Sequence, residues 1–179
     1  MVGTVDLPSA FPGGSARDIA LFSDYLAAIN KDGELNIYHL PNLKSGPVKT
    51  LMGAQRLGRT ESYLAYASHD GVHIVCEVDG KLTDKKYSIC KNYTLASTMH
   101  PTRNVTCSEE FLIVWGGEVA EVFEVTHKDD GSKFFTSLGD GKMPMCECHG
   151  GWYGAIRGDL FLTADAFAGV TVMQIKREK

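Results

Sequence analysis

Residues 24–40 read DYLAAINKDGELNIYHL, and this stretch decides the fold. An apolar run is followed by Asn-Lys-Asp-Gly and then by a run in which apolar and polar residues alternate. Asp-Gly between two such runs is the strongest short-range signal for a β-hairpin, because both residues tolerate the positive φ angles of a tight turn. A hairpin alone in water is only marginally stable. The stretch therefore predicts a hairpin that packs against further sheet.

The same pattern recurs three times along the chain. It reappears as SYLAYASHDGVHIVCEV at 62–78, EFLIVWGGEVAEVFEV at 110–125 and DLFLTADAFAGVTVMQI at 159–175. Another strand is predicted before each hairpin, and a fourth strand follows the first three hairpins, at 47–51, 85–90 and 133–138. No stretch has the period of a long helix. A four-stranded unit that repeats every roughly 40 to 50 residues is typical of a propeller blade.

The predicted fold class is therefore all-β, a β-propeller of about four blades in a single domain, 16–179. A blade that is apolar on both faces needs a neighbour on each side, and a ring of blades supplies those neighbours. The hairpin strands at 25–29 and 111–115 are apolar nearly throughout, as expected for strands buried on both faces. An all-β barrel or sandwich is the alternative architecture. The expected blades are 16–52, 53–91, 92–143 and 144–179.

Two stretches resemble the WD40-type β-propeller repeat, FSDYLAAINKDGELNIYHL at 22–40 and SHDGVHIVCEV at 68–78. Both look like the second and third strands of a blade joined by an Asp-Gly turn. The chain departs from that family because the Gly-His pair near the blade start is missing. The Trp-Asp pair that ends a repeat is also absent, and its places hold Tyr38-His39, Cys76-Glu77, Phe123-Glu124 and Met173-Gln174.

Residues 1–15 have two predicted roles. The segment Gly3–Leu7 is a candidate closing strand that would pair with Gly169–Ile175, as an N-terminal strand commonly does in WD40-like rings. The prolines and glycines of 1–15 fit a disordered leader equally well. Because rings of the resembled family usually have more than four blades, we also expect a partial propeller, completed by a second copy of the chain or by a different subunit.

Composition narrows the range of functions. The net charge of -4 and the pI of about 5.8 argue against a nucleic-acid binder, which would carry a basic stripe. No segment approaches the roughly 20 apolar residues that span a bilayer, and 1–15 lacks the features of a secretory signal. The five cysteines are irregularly spaced, which fits reduced thiols in the cytoplasm or the nucleus better than a disulfide framework.

Cys146, Cys148 and His149 are the candidate metal ligands. Zinc accepts thiolates and imidazole, but a structural zinc site needs four ligands, usually in separated pairs, and no second pair follows. Two thiols in a Cys-X-Cys strand point to the same face, where they pack as small apolar side chains. We therefore predict no metal site and no cofactor.

Two other segments have simple structural interpretations. GDGKMP at 139–144 lacks the strand-loop-helix context of a phosphate-binding loop, so it is predicted to be an ordinary loop. THKDDGS at 126–132 lacks the ligand spacing of a calcium loop and is predicted to be a hairpin turn. The sequence also has no recognisable motif for an activated nucleophile.

The sequence therefore favours a non-catalytic protein–protein interaction scaffold, a propeller subunit of a larger complex. Its partners would be other subunits or a second copy, with neither nucleic acid nor membrane insertion. Trp152 and Tyr153 follow two glycines and are candidate partner contacts, whereas Trp115 lies in a predicted core strand. The alternative is a propeller-type enzyme or small-ligand binder with its site at the central channel.

Overall fold

The structure is a computed structural model that describes residues 16–69, 71–87, 104–116, 119–142, 153–165 and 169–177. Within these ranges fifteen strands form four antiparallel sheets, each in chain order. Blade 1 contains β1 (Ala16–Phe22), β2 (Tyr25–Asn30), β3 (Leu35–His39) and β4 (Lys49–Leu51), with a short 3-10 helix, Leu40–Ser45, before β4. Blade 2 contains β5 (Arg56–Arg59), β6 (Tyr63–Ser68), β7 (Gly71–Val78) and β8 (Lys81–Tyr87). Blade 3 contains β9 (Asn104–Cys107), β10 (Phe111–Gly116), β11 (Val119–His127) and β12 (Lys133–Lys142), and blade 4 contains β13 (Tyr153–Arg157), β14 (Leu160–Asp165) and β15 (Gly169–Gln174).

The hairpin predicted at 24–40 is β2 and β3. The side-chain oxygen of Asn30 accepts hydrogen bonds from the backbone N–H groups of Asp32 and Glu34, both at 2.9 Å. Gly33 has a φ of 81°, a backbone angle that residues with a side chain rarely adopt. Gly33 therefore has the positive φ that the Asp-Gly pair predicts, whereas Asp32 does not, because 31–33 form a three-residue loop and not a two-residue turn.

The four sheets pack face to face in a four-blade β-propeller arrangement, which confirms the all-β prediction. Three apolar clusters fill the joints between neighbouring blades. Between blades 1 and 2, Phe22 and Ile37 pack against Leu64 and Tyr66. Between blades 2 and 3, Tyr63 and Ile74 pack against Val114 and Phe123. Between blades 3 and 4, Ile113 and Trp115 pack against Phe161.

The innermost strands define how the blades follow one another. Strand β1 contacts β5, β5 contacts β9, and β9 contacts β13. Among the described residues no comparable contact joins β13 back to β1. The described part of the chain therefore has three blade-to-blade joints and two blades with an unmatched face.

Two sequence predictions need correction. The fourth strand of blade 2 begins at Lys81 and not at 85, because Asp79 and Gly80 have φ angles of 50° and 73° and make a two-residue hairpin turn. The segment 139–144 is not simply a loop, because its first four residues belong to β12 and pair with Val119–Val122. A bulge beside Val122 and Phe123 absorbs the extra residue and lets the strand continue.

Candidate functional site

Each blade has a forward face, directed at the next blade in chain order, and a backward face, directed at the preceding one. In blade 4, Ile156, Phe161 and Met173 pack toward blade 3 and so lie on the backward face. Side chains alternate between the faces of a strand, so their neighbours lie on the forward face. The apolar residues of this forward face are Tyr153, Ala155, Leu160, Leu162, Ala164, Val170 and Val172.

The forward face of blade 4 is exposed in the described structure. The exposed fractions are 75% for Tyr153, 69% for Val170 and 59% for Val172. The position of Leu162 in blade 4 corresponds to Ala27, Ala65 and Ile113 in blades 1 to 3, and each of those is 0% exposed. Blade 4 thus repeats, at its free end, the apolar pattern that other blades bury against a neighbour.

The backward face of blade 1 is exposed only at its innermost strand, since Ala28, Asn36 and Tyr38 on the same face are each at most 1% exposed. Ile19 and Leu21 are 65% and 49% exposed. The residues that correspond to Ile19 in blades 2 and 3, Leu57 and Val105, both pack in joint clusters. Farther out on this face, Tyr38 is buried.

Turn-to-turn contacts cross the existing joints at one end of the blades. In the turn between β1 and β2, the Ser23 N–H donates a hydrogen bond to the backbone oxygen of Glu61 at 2.7 Å. One joint along, the Ser62 hydroxyl donates to the Glu109 carboxylate at 2.6 Å. Burial acts to raise the pKa of Glu109, but hydrogen bonds from Ser62 and Thr60 outweigh it and hold that pKa below its usual value.

The joint between blades 2 and 3 also holds two ionisable groups in their neutral forms. Burial raises the pKa of Tyr63 far above its usual value, and its hydroxyl donates to the backbone oxygen of Ser108 at 2.7 Å. Burial likewise raises the pKa of the Cys107 thiol well above neutrality. Because the thiolate is the nucleophilic form, Cys107 is a packing residue.

A cavity of about 690 Å³ lies beside the first of these turn contacts. Its polar lining includes Asp24 in the β1–β2 turn, Arg59 at the end of β5 and Glu61 in the β5–β6 turn. Across the described ranges, no group of three His, Cys, Asp or Glu side chains is placed to hold a metal ion. The described lining of the cavity therefore comes from blades 1 and 2, whereas the channel site expected for a propeller enzyme would need groups from several blades.

The predicted site residues divide between described and undescribed parts. Tyr153 begins β13 on the forward face of blade 4, where its 75% exposure suits a contact residue. Trp152 lies outside the described residues, as do Cys146, Cys148 and His149. Trp115 is 1% exposed, as predicted for a core residue. In the described part of the chain, no helix has the length and apolar character needed to cross a membrane.

Sequence reasoning missed the residues that accompany Tyr153 on this face. Val170 and Val172 belong to a period-two apolar pattern that the first three hairpins share. The fourth repeat carries the same pattern. The alternating apolar residues of β15 were the available signal for this exposed face.

No protein-family model matches the sequence, and the search of curated proteins found no match. Solved structures do match. The computationally designed Ika4 protein is 9% identical with a TM-score of 0.57, over 92% of this chain and 93% of that one. The WD40 domain of SCAP from fission yeast is 14% identical with a TM-score of 0.55, over 89% of this chain and 39% of that one.

The N-terminal domain of Nup159 is 13% identical with a TM-score of 0.51, over 90% of this chain and 50% of that one. The chain has a WD40-like propeller fold. It spans about half the length of the Nup159 domain and about two fifths of the SCAP chain, so both contain more structure than this chain aligns with. At these identities the likeness concerns the fold alone.

Proposed function

We propose that this protein is a non-catalytic protein–protein interaction scaffold, a propeller subunit that works inside a larger assembly. The observation that carries the proposal is the exposed apolar forward face of blade 4. Soluble monomers rarely expose contiguous apolar patches beyond a few hundred Å², and larger patches mark interaction sites. Fully burying one valine or leucine contributes about 1.5–3 kcal/mol, so covering several of them strongly favours association.

The shape of the surface suits a protein partner better than a small ligand. Small-ligand sites are concave and enclose most of the ligand. The forward face is one side of a three-stranded sheet, and its apolar side chains come from all three strands. A flat apolar sheet face is matched by another sheet, as it is at every joint within the chain.

The test is a matched pair of substitutions on two leucines of similar exposure. Leu160, 41% exposed, lies on the forward face, and Leu138, 36% exposed, lies on β12 of blade 3 away from that face. We expect Leu160→Lys to abolish capture of partner subunits from the cells that make the protein, because an ammonium group directly opposite Arg157 cannot be buried there unpaired. Leu138→Lys should leave capture unchanged.

The result that contradicts the scaffold proposal is also definite. If both variants capture the same proteins as the parent chain, the forward face is not the interaction surface. If the pure protein turns over substrates in a hydrolase panel, the enzyme alternative replaces the scaffold. Melting curves of both variants should match the parent, since both leucines are partly exposed.

A further inference from the structure

Blade 4 lacks, among the described residues, the fourth strand that the other three blades have. Its outermost strand is β15, which pairs with β14 on one edge, and the described residues provide no strand for the other edge. We infer that this edge binds an extended segment of a partner protein, which pairs antiparallel to β15 as the fourth strand of the blade. The inference rests on the proposed scaffold function and names how the partner docks.

The outermost strands of blades 1 to 3 have features that prevent pairing with another chain, and β15 has none of them. Strand β4 has only three residues, β8 reads KLTDKKY, and β12 has a bulge and both begins and ends with lysine. Short length, charged side chains and bulges are the usual means of protecting a sheet edge. Strand β15 reads GVTVMQ, without a charge or a proline, and its register with β14 is unbroken. It therefore has the sequence of an inner strand, which needs a neighbour on each edge.

The hydrogen-bond ladder identifies the backbone groups that point to this edge. The Ile175 N–H donates to the backbone oxygen of Asp159 at 2.7 Å, which continues the ladder between β14 and β15. Backbone groups alternate between the two edges of an antiparallel strand, so those of Thr171 point to β14, whereas those of Val170 and Val172 point outward. Val172 lies near the middle of the edge, where its N–H and its carbonyl oxygen can each form a hydrogen bond with one residue of an incoming strand.

The joint between blades 3 and 4 has space for such a strand. In the joint between blades 2 and 3 the outermost strands meet, and the Tyr87 and Phe135 rings pack with centroids 5.1 Å apart. In the joint between blades 3 and 4, among the described residues, β12 contributes nothing to the apolar cluster. Phe134 alternates with Phe135 and so lies on the side of β12 away from blade 2. There Lys85 and Lys128 contact its ring and 41% of the residue stays exposed, so a fourth strand on blade 4 would extend the existing joint over it.

The exposed forward face argues for a strand from another protein. If the candidate closing strand Gly3–Leu7 filled this edge in a ring closed within one chain, blade 1 would cover the forward face of blade 4. Tyr153 and Val170 on that face are instead 75% and 69% exposed. The open face and the open edge adjoin along β15, because Val170 and Val172 place their side chains on the face and their backbone groups on the edge. One partner can therefore occupy both.

A peptide with the sequence of the chain's own strand β8 is the probe. Strand β8 is the fourth strand of blade 2 and pairs with β7, which begins GVHIV where β15 begins GVTVM. The peptide Lys81–Tyr87 with an N-terminal fluorophore is titrated with the purified full-length chain, and anisotropy reports binding. We expect saturable binding with a Kd below about 1 mM. The same peptide with Lys85→Pro should not bind, because proline cannot donate a hydrogen bond to the ladder.

Two substitutions at Val172 separate edge pairing from apolar contact. Val172→Pro keeps an apolar side chain of similar size but removes the outward N–H, and an edge strand tolerates proline where its N–H faces solvent. It should weaken peptide binding more than about tenfold. Val172→Ala removes more of the side chain but keeps the N–H, so it should weaken binding less than Val172→Pro does. If Val172→Pro fails to melt cooperatively, Gln174→Pro removes the next outward N–H, at the end of the strand, and should also weaken binding.

Leu160→Lys separates this inference from the scaffold proposal, because Leu160 lies on β14 and not on the open edge. It should abolish capture of partner subunits but leave peptide binding unchanged. If the parent chain does not bind the peptide at about 1 mM, the edge inference is overturned, and the scaffold stands as long as Leu160→Lys still abolishes capture. A parent chain that captures nothing overturns the scaffold instead.

Three further results would overturn the inference in different ways. Equal binding of the peptide by the parent and by Val172→Pro would place the peptide elsewhere on the protein. Binding that appears only after deletion of 1–15 would show that the chain's own first segment fills the edge. A parent chain at twice the 19.5 kDa monomer mass that Val172→Pro converts to a monomer would show that the edge binds a second copy.

Discussion

At the scale of single residues, glycines with positive φ set the hairpin turns, and they divide into two kinds. Gly71 has a φ of 154°, and a Cβ added there would lie 2.5 Å from the backbone oxygen of Tyr87. Gly80 has a φ of 73°, and nothing lies within 4 Å of the corresponding point. A side chain at position 71 would therefore meet both an unfavourable backbone angle and steric overlap, whereas a side chain at position 80 would meet the unfavourable angle alone.

We expect Gly71→Ala to lower the free energy of unfolding by more than about 1 kcal/mol, and Gly80→Ala to lower it by less. The reason is that strand β8 must move away from any side chain at position 71, whereas position 80 has room for a methyl group. Urea unfolding of the two variants measures the difference. Equal losses would show that the backbone angle alone, and not the approach of Tyr87, determines the cost.

At the scale of elements, the attachment of blade 4 depends on one close approach. A Cβ at Gly154 in β13 would lie 2.9 Å from Trp115 Cζ2 and 3.0 Å from Phe161 Cε2. The Trp115 and Phe161 rings pack edge to face with centroids 5.3 Å apart. Glycine at 154 therefore leaves the space into which the largest side chain of the third joint fits.

We expect Gly154→Ala to loosen blade 4, at a cost of about 1–3 kcal/mol for overpacking a filled joint. Hydrogen exchange should accelerate in β13, β14 and β15 while the core of blade 2 stays protected. Gly141→Ala in β12 is the control, because nothing lies within 4 Å of a Cβ at that position. Uniform acceleration over all blades would mean that blade 4 does not open on its own.

The same elements show how far the sequence predicts the structure. Apolar runs around Asp-Gly predicted the hairpin of blade 1 because the turn and the alternation both act locally. Another Asp-Gly pair, Asp79-Gly80, is an equally local signal and would have placed the start of β8 correctly. The extension of β12 through Gly139 depends on pairing with β11 across a bulge, and a segment rich in glycine carries no local trace of that pairing.

At the scale of the whole molecule, the candidate site depends on which blade faces are covered. An open array of four repeats predicted an exposed apolar face at each end, because a blade needs a neighbour on each side. The forward face of blade 4 is exposed in the described structure, but Ala28 and Tyr38 on the backward face of blade 1 are buried. Which residues those faces expose, such as Ile19 and Val170, depends on which side of each sheet meets its neighbour. The sequence period fixes alternation along a strand, but the packed structure decides which alternate set lies in a joint.

The last prediction tests the candidate closing strand in residues 1–15, which lie outside the described residues. On the backward face of blade 1, Asn36 is 1% exposed and Tyr38 is 0% exposed, whereas Ile19 in the innermost strand is 65% exposed. If the segment closes a four-blade ring within one chain, deletion of 1–15 should lower the free energy of unfolding, because a buried face would then meet water. Urea unfolding of the full chain and of the truncated chain measures the difference, and light scattering shows whether either chain associates. Equal free energies of unfolding and equal states of association would show that the segment is not part of the fold.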